Sequence, residues 1–274
     1  MPELPEVETL VRGLQPATDH RIRSVEVLDP RLQVDPSPLV GETIAAIVRR
    51  GKHIVIRLTE QGDLVVHLRM SGHLGFDRTL AEIPYTRMII HLEGEDSVYF
   101  VNPRRLGTVT HWPEGFDVRL GLEPLSAAFT VAALSRMAKG SRAPIKSLLL
   151  NQNKIAGVGN IYAAEALWQA GIDPRRIAKE LTPSEITKLH TNLRSVLREA
   201  VSQLGTRLGE SVSDYRPDGS ENASYQNKLS VYGREGLPCQ RCGEPIARIV
   251  QAGRSTCYCP SCQTGESPKE GGTT

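Results

Sequence analysis

The sequence predicts an α+β protein: an N-terminal β-sandwich entered by a short helix, then a helical domain, then a metal-held β-hairpin. Three observations carry this. Residues 21–112 hold short β-branched runs broken by turn residues. The second half keeps helical period instead, and near the end four cysteines fall into two C-x2-C pairs. We place the sandwich at 1–117, the helical domain at 125–226, the hairpin at 227–264 and a polar tail at 265–274.

The first helix follows from Val7, Leu10, Val11 and Leu14, an i, i+3, i+4, i+7 stripe. Pro5 suits its first turn, and Glu6 and Glu8 suit its positive end. The residue after Met1 is small, which favours removal of the initiator and would leave Pro2 with a free secondary amine. Such an amine is a nucleophile that forms an iminium with an aldehyde-level carbon. Glu3 and Glu6 are close enough in sequence to give or take protons in the same reaction. An ordinary helix start accounts for Pro5 and the stripe equally well, but it does not require Pro2-Glu3.

The strands come next. Arg21 to Asp29 alternates around Ile22, Val25 and Val27, and Thr43 to Val48 and His53 to Leu58 flank Arg49-Arg50-Gly51-Lys52. Glu60-Gln61-Gly62-Asp63 and Glu93-Gly94-Glu95-Asp96 read as hairpin turns. Beyond residue 125, helices are expected at Ile145 to Leu150 and Ile161 to Ala170, joined through Gly157-Val158-Gly159-Asn160. Glycines there let the backbone approach a partner, and the next helix start offers N–H groups to an anion. Asn160 could cap that helix or contact a phosphate; a plain helix–helix turn fits the loop as well. Thr182-Pro183-Ser184-Glu185 is a capping box, and Ile186, Leu189, Leu193, Val196, Leu197, Ala200, Val201 and Leu204 then keep helical period to Gly205.

Cys239-Gln240-Arg241-Cys242 and Cys259-Pro260-Ser261-Cys262 are separated by sixteen residues, the spacing of a tetrahedral four-cysteine zinc site. Such a site is closed, so one zinc holds the hairpin and does no chemistry. Cys257 offers a second register with Cys262, but the paired x2 spacings favour Cys259. Five cysteines is an odd number, and the first sixteen residues hold no apolar secretion segment. We therefore expect a reducing cytosol or nucleoid. No apolar run approaches a membrane span, and a net charge of +2 leaves any basic footprint local.

Taken together, these segments closely resemble the bacterial formamidopyrimidine-DNA glycosylases over roughly residues 1 to 263. The resemblance is carried by Pro2-Glu3-Leu4-Pro5-Glu6-Val7-Glu8, Met70-Ser71-Gly72, Asn102-Pro103-Arg104-Arg105-Leu106-Gly107, Gly157-Val158-Gly159-Asn160-Ile161-Tyr162, Val231-Tyr232-Gly233-Arg234 and Gly253-Arg254-Ser255-Thr256. It implies a bifunctional glycosylase and abasic-site lyase that acts on oxidised purines in double-stranded DNA as a monomer. It also implies that the helical domain contains a helix–two-turn–helix and that DNA binds between the domains. By position, Pro2, Glu3 and Lys52 would be catalytic, with Glu6 in support. Met70, Arg105 and Leu106 would fill the space left by an everted base, and Lys146, Asn160 and Arg254 would contact the backbone. Residues 214–228 would align with the loop that covers the everted base.

Read without the resemblance, Lys52 is a hairpin-turn lysine in water, Met70 a core residue, Leu106 a strand residue, and Arg104-Arg105 a solvated pair. The chain also departs from the family: the usual Phe is Leu106 and the usual Asp is Asn102. Two other readings compete. An endonuclease VIII-like enzyme for oxidised pyrimidines would usually have Gly at the position of Leu4. A catalytically silent zinc DNA-binding protein would need Met1 retained or the amine blocked.

Overall fold

The computed structural model describes residues 1–77, 83–116, 119–206 and 224–264. The tail expected at 265–274, and residues 214–223 of the expected covering loop, lie outside these. The chain divides into two compact units, Met1–Arg119 with Ala200–Gln226, and Leu120–Glu199 with Asn227–Thr274.

In the first unit, α1 (Leu4–Gly13) is followed by eight strands. One antiparallel sheet has the order β1 (Ile22–Val27), β6 (Thr86–Leu92), β7 (Ser97–Val101), β5 (His73–Asp77). The other runs β2 (Ile44–Arg50), β3 (His53–Leu58), β4 (Asp63–His67), β8 (Thr108–Trp112). Inward residues of both sheets and the stripe of α1 form one core, from Val7, Leu10 and Leu14 through Ile54, Ile56, Leu64 and Val66 to Met88, Ile90 and Phe100. This is the expected sandwich.

The second unit holds α2 (Val131–Lys139), α3 (Ile145–Leu150), α4 (Asn160–Ala170) and most of α5 (Pro183–Ser202), with the hairpin β9 (Ala247–Gln251) and β10 (Arg254–Tyr258). The Thr182 box forms as read: Thr182 N–H donates to Glu185 Oε2 at 2.8 Å and Glu185 N–H to Thr182 Oγ1 at 3.2 Å. Helix α2 has no counterpart among the elements expected from the sequence. At the start of α4 the cap is Gly159 and Asn160 is the first helical residue, so Asn160 is not the cap.

Two groupings differ from the sequence-based boundaries. The last turn of α5 belongs with the sandwich rather than the helices. The cysteine hairpin shares a core with α4, where Ala164 and Trp168 pack against Val231, Cys239, Ile246, Cys257 and Cys259. Its own two-residue turn is Ala252-Gly253, both at positive φ, the pairing that matches strand twist.

Candidate functional site

The N-terminal site starts from α1. Met1 is present in the structure, so the terminal amine is its own, one residue ahead of the Pro2 nitrogen. Burial lowers this amine below its ordinary value of 8.0; Glu3 and Glu6 pull it up, and Lys52 and Arg104 push it down. The charges of these four residues therefore act on one amine. Pro2, Glu3 and Glu6 are all buried. Glu6 is committed on both oxygens: Oε2 accepts Glu3 N–H and Oε1 accepts Thr206 N–H, each at 2.8 Å. Gly205 must lack a side chain, because a Cβ would meet Glu6 Oε1 at 2.8 Å.

Lys52 reaches this site from the β2–β3 turn, where Gly51 takes φ +59° at the first position of a two-residue hairpin. It is only 5% exposed, so the water-facing turn lysine that its position suggests is not what the fold makes. Strand register then gathers three loops at one end of a sheet. Arg50 pairs with His53, His53 with His67, and His67 with Thr108. The turn carrying Lys52, the turn carrying Met70 and the segment carrying Arg104, Arg105 and Leu106 all leave from that end. Met70 and Leu106 are 42% and 52% exposed, which overturns the core and strand alternatives for them. Gly107 closes the segment: a Cβ there would meet Phe100 Cζ at 2.8 Å.

Sequence reasoning missed Arg104 as a charge on the amine, and it missed a histidine pair beneath the turns. His53 and His67 meet edge to face at 4.7 Å. His53 Nδ1 lies 3.3 Å from Arg50 O, and Arg69 N–H donates to His67 Nδ1 at 3.1 Å. Burial, then the charges of His53, Arg69 and Lys52, pushes His67 down to about 3. The unfolded chain takes up that proton near 6.5, whereas the folded chain resists it until about 3. Stability therefore rises with pH across that window, by up to about 1.4 kcal/mol per pH unit from this group. Urea unfolding at several pH values should show a shallower slope in His67→Gln than in the parent; equal slopes would remove His67 as the cause.

In the second unit, Lys146 is buried, and its Nζ donates to Thr256 Oγ1 at 2.6 Å and Ser255 O at 3.3 Å. Asn160 Nδ2 donates to the same Ser255 O at 2.9 Å. Both residues expected to touch DNA thus hold β10 to the helices, beside the exposed Arg254. Glu165, which sequence reasoning also missed, is buried in α4 and accepts N–H groups from Ser230, Val231 and Tyr232 at 2.8–3.0 Å. Burial pushes its carboxyl up, against those three donors.

Cys239, Cys242, Cys259 and Cys262 bring their sulfurs within 4.8 Å of one another. A tetrahedral zinc with bonds of ~2.3 Å sets its sulfurs about 3.8 Å apart. The Cys242–Cys259 and Cys239–Cys262 separations are 3.5 and 3.9 Å, so the donor set fits zinc. Burial works against ionisation at Cys239, but N–H groups of Arg241 and Cys242 outweigh it and bring the thiol to about 6. Burial and the neighbouring thiols push Cys262 up to about 12. Cys257 lies outside the group, paired with Arg248 across the hairpin.

Three family models match successive parts of the chain. Residues 1–109 match the formamidopyrimidine-DNA glycosylase N-terminal domain, 120–210 the H2TH domain of the same glycosylase, and 236–265 the zinc finger found in FPG and IleRS. The formamidopyrimidine-DNA glycosylase of Thermus thermophilus is 44% identical over 98% of this chain and 100% of its own. That of Paracoccus denitrificans is 40% identical over 96% and 100%. The crystal structure of the Thermus thermophilus MutM (Fpg) protein superposes with a TM-score of 0.85 at 43% identity, covering 97% of this chain and 100% of that one. The Lactococcus lactis Fpg in complex with abasic-site DNA gives 0.83 at 30% identity over 95% and 99%.

Proposed function

The chain belongs to the formamidopyrimidine-DNA glycosylase family, and from that membership we propose how its own residues perform base excision and strand cleavage. It is a DNA-repair glycosylase with abasic-site lyase activity, directed at 8-oxoguanine and formamidopyrimidines, and it carries one structural zinc. The observation that supports the reaction scheme best is the setting of the N-terminus: Pro2, Glu3, Glu6 and Lys52 are all buried, Glu6 holds the Glu3 amide, and the charges of Glu3, Glu6 and Lys52 act on the terminal amine.

Removal of Met1 frees the Pro2 nitrogen in that setting. The nitrogen attacks C1′ of the everted nucleotide, the C1′–base bond breaks, and the base leaves with a proton. Glu3 handles protons at the sugar and leaving group, while Glu6 fixes the Glu3 amide. The C1′–O4′ bond then breaks, O4′ takes a proton and the sugar ring opens, leaving an iminium between the Pro2 nitrogen and C1′. That iminium acidifies C2′, so a C2′ proton is lost and the 3′ phosphate departs by β-elimination. A second proton loss expels the 5′ phosphate by δ-elimination. Lys52 serves as proton donor or phosphate clamp. On the duplex, Met70, Arg105 and Leu106 occupy the vacated space and Asn160 and Arg254 meet the backbone. Lys146, expected from the sequence to join them, is buried against Ser255 and Thr256 and instead holds the strand that carries Arg254. The enzyme acts as a monomer in the bacterial cytoplasm, at the nucleoid; no helix of the described residues is long and apolar enough to cross a membrane. Borohydride trapping of the processed protein on an 8-oxoguanine duplex tests the scheme, and absence of a covalent adduct would reject it.

Leu106 gives a graded test of the void-filling assignment. A base–aromatic stack is worth roughly 1–3 kcal/mol, and leucine forfeits part of it. Leu106→Phe should therefore tighten lesion-duplex binding by about threefold or more. Leu106→Ala should slow base release while sparing cleavage at preformed abasic sites. Single-turnover rates on both duplexes decide; parent-like behaviour of both variants would move the wedge elsewhere.

A further inference from the structure

We propose that Asp29 is a positioning residue for Arg105, fixing its guanidinium through Nε and leaving the terminal nitrogens available to the base opposite the lesion. The inference rests on the reading of Arg105 as the side chain that enters the vacated space. Asp29 follows β1 and is 4% exposed. Its backbone is tied down, because Leu28 and Asp29 N–H both donate to Arg87 O, at 2.9 and 3.2 Å. Its Oδ1 accepts Arg31 N–H at 3.2 Å. Its Oδ2 faces two guanidinium groups, Arg105 Nε at 3.3 Å and Arg87 Nε at 3.9 Å.

Those two arginines are not equivalent. Arg87 is half-buried, with 15% of its side chain exposed, and its Nε already donates to Asn102 O at 3.2 Å, so it is a fixed part of the frame. The Arg105 side chain is 42% exposed on an exposed segment, and no hydrogen bond from its terminal nitrogens occurs among the described residues. Its backbone takes φ +53°, unusual for a residue with a side chain, with its N–H held by Asn102 O at 3.2 Å. A flexible arginine on a loop loses much rotamer freedom when it docks. Pinning at Nε removes part of that loss beforehand and keeps the two-nitrogen fork intact for planar recognition. Asn102 is uncharged, so Asp29 supplies the only carboxylate paired with Arg105 among the described residues.

The experiment measures single-turnover base release from 8-oxoguanine paired with cytosine and with adenine, together with cleavage of an abasic duplex. Asp29→Asn keeps the shape and the Oδ1 acceptor but loses the charge. It should lower the cytosine-to-adenine rate ratio about fivefold, the scale of a partly exposed ion pair, with abasic cleavage and Tm unchanged. Arg105→Lys keeps a charge but has no Nε, so it should reproduce that loss. In an Arg105→Ala background, Asp29→Asn should change the ratio no further. An unchanged ratio in Asp29→Asn, beside a collapsed ratio in Arg105→Ala, overturns the positioning role. An unchanged ratio in Arg105→Ala overturns the reading of Arg105 itself. A uniform loss on every duplex with a lowered Tm makes Asp29 merely structural and also overturns the proposal.

Discussion

A chain that keeps Met1 should release no base and form no borohydride adduct, although it should still bind an abasic-site analogue. The iminium requires a free secondary amine, and with Met1 in place the Pro2 nitrogen is an amide whose lone pair is delocalised. The terminal amine that replaces it sits one residue away, and a displacement of that size is enough to spoil attack. Losing an enzyme nucleophile lowers turnover by roughly 10³-fold or more, so both activities should fall below detection. Binding persists because the residues assigned to the duplex lie on other segments. Pro2→Gly tests the same point with the initiator removed: a primary amine remains, so any residual trapping reports an imine rather than an iminium. Intact mass identifies the N-terminus of each preparation. Undiminished trapping by a blocked chain would sink the Pro2 assignment and shift it to Lys52.

Elements with a local signature are legible in the amino-acid order alone. The α1 stripe, the Thr182 box with α5, strand β3 at His53–Leu58 and the four-cysteine spacing each state their own period or ligand count within a few residues. Helix α2 is not, because its buried face is partly alanine, Ala133 and Ala138 beside Leu134, which marks a helix weakly. The site is legible as a set of residues through resemblance, but not as an arrangement. Nothing local says that Lys52 is buried, since that depends on β3 pairing with β4 and β4 with β8. The bonds from Lys146 to Ser255 and Thr256, from Glu165 to Ser230–Tyr232, and from Asp29 to Arg105 each join residues 65 or more positions apart. Such pairs leave no period in the chain; they exist only once the sheets and helices have closed.

Zinc removal should have the other large effect, confined to the second unit. Cys259→Ser leaves three sulfurs for a site that needs four, and metal binding here is coupled to folding of the hairpin. Cys239, Cys257 and Cys259 form one core with Ala164 and Trp168 of α4, so losing the metal also uncovers that helix. The anchors from Lys146 and Asn160 to Ser255 then lose their partner, and the exposed Arg254 next to it loses its place. DNA affinity should drop by about 100-fold or more, since structural zinc contributes folding free energy outright. The sandwich core contains no residue beyond Val109, so it should keep its own unfolding transition. The chain has two tryptophans, so a Trp112→Phe background leaves Trp168 as the reporter, and its emission should shift to the red on chelation. Mass spectrometry under native conditions should find one zinc in the parent and in Cys257→Ser, and none in Cys259→Ser. Metal lost with Cys257 and kept without Cys259 would show that the ligand register is the other one, and the hairpin would then be held from Cys257 on β10 itself rather than from the turn that follows it.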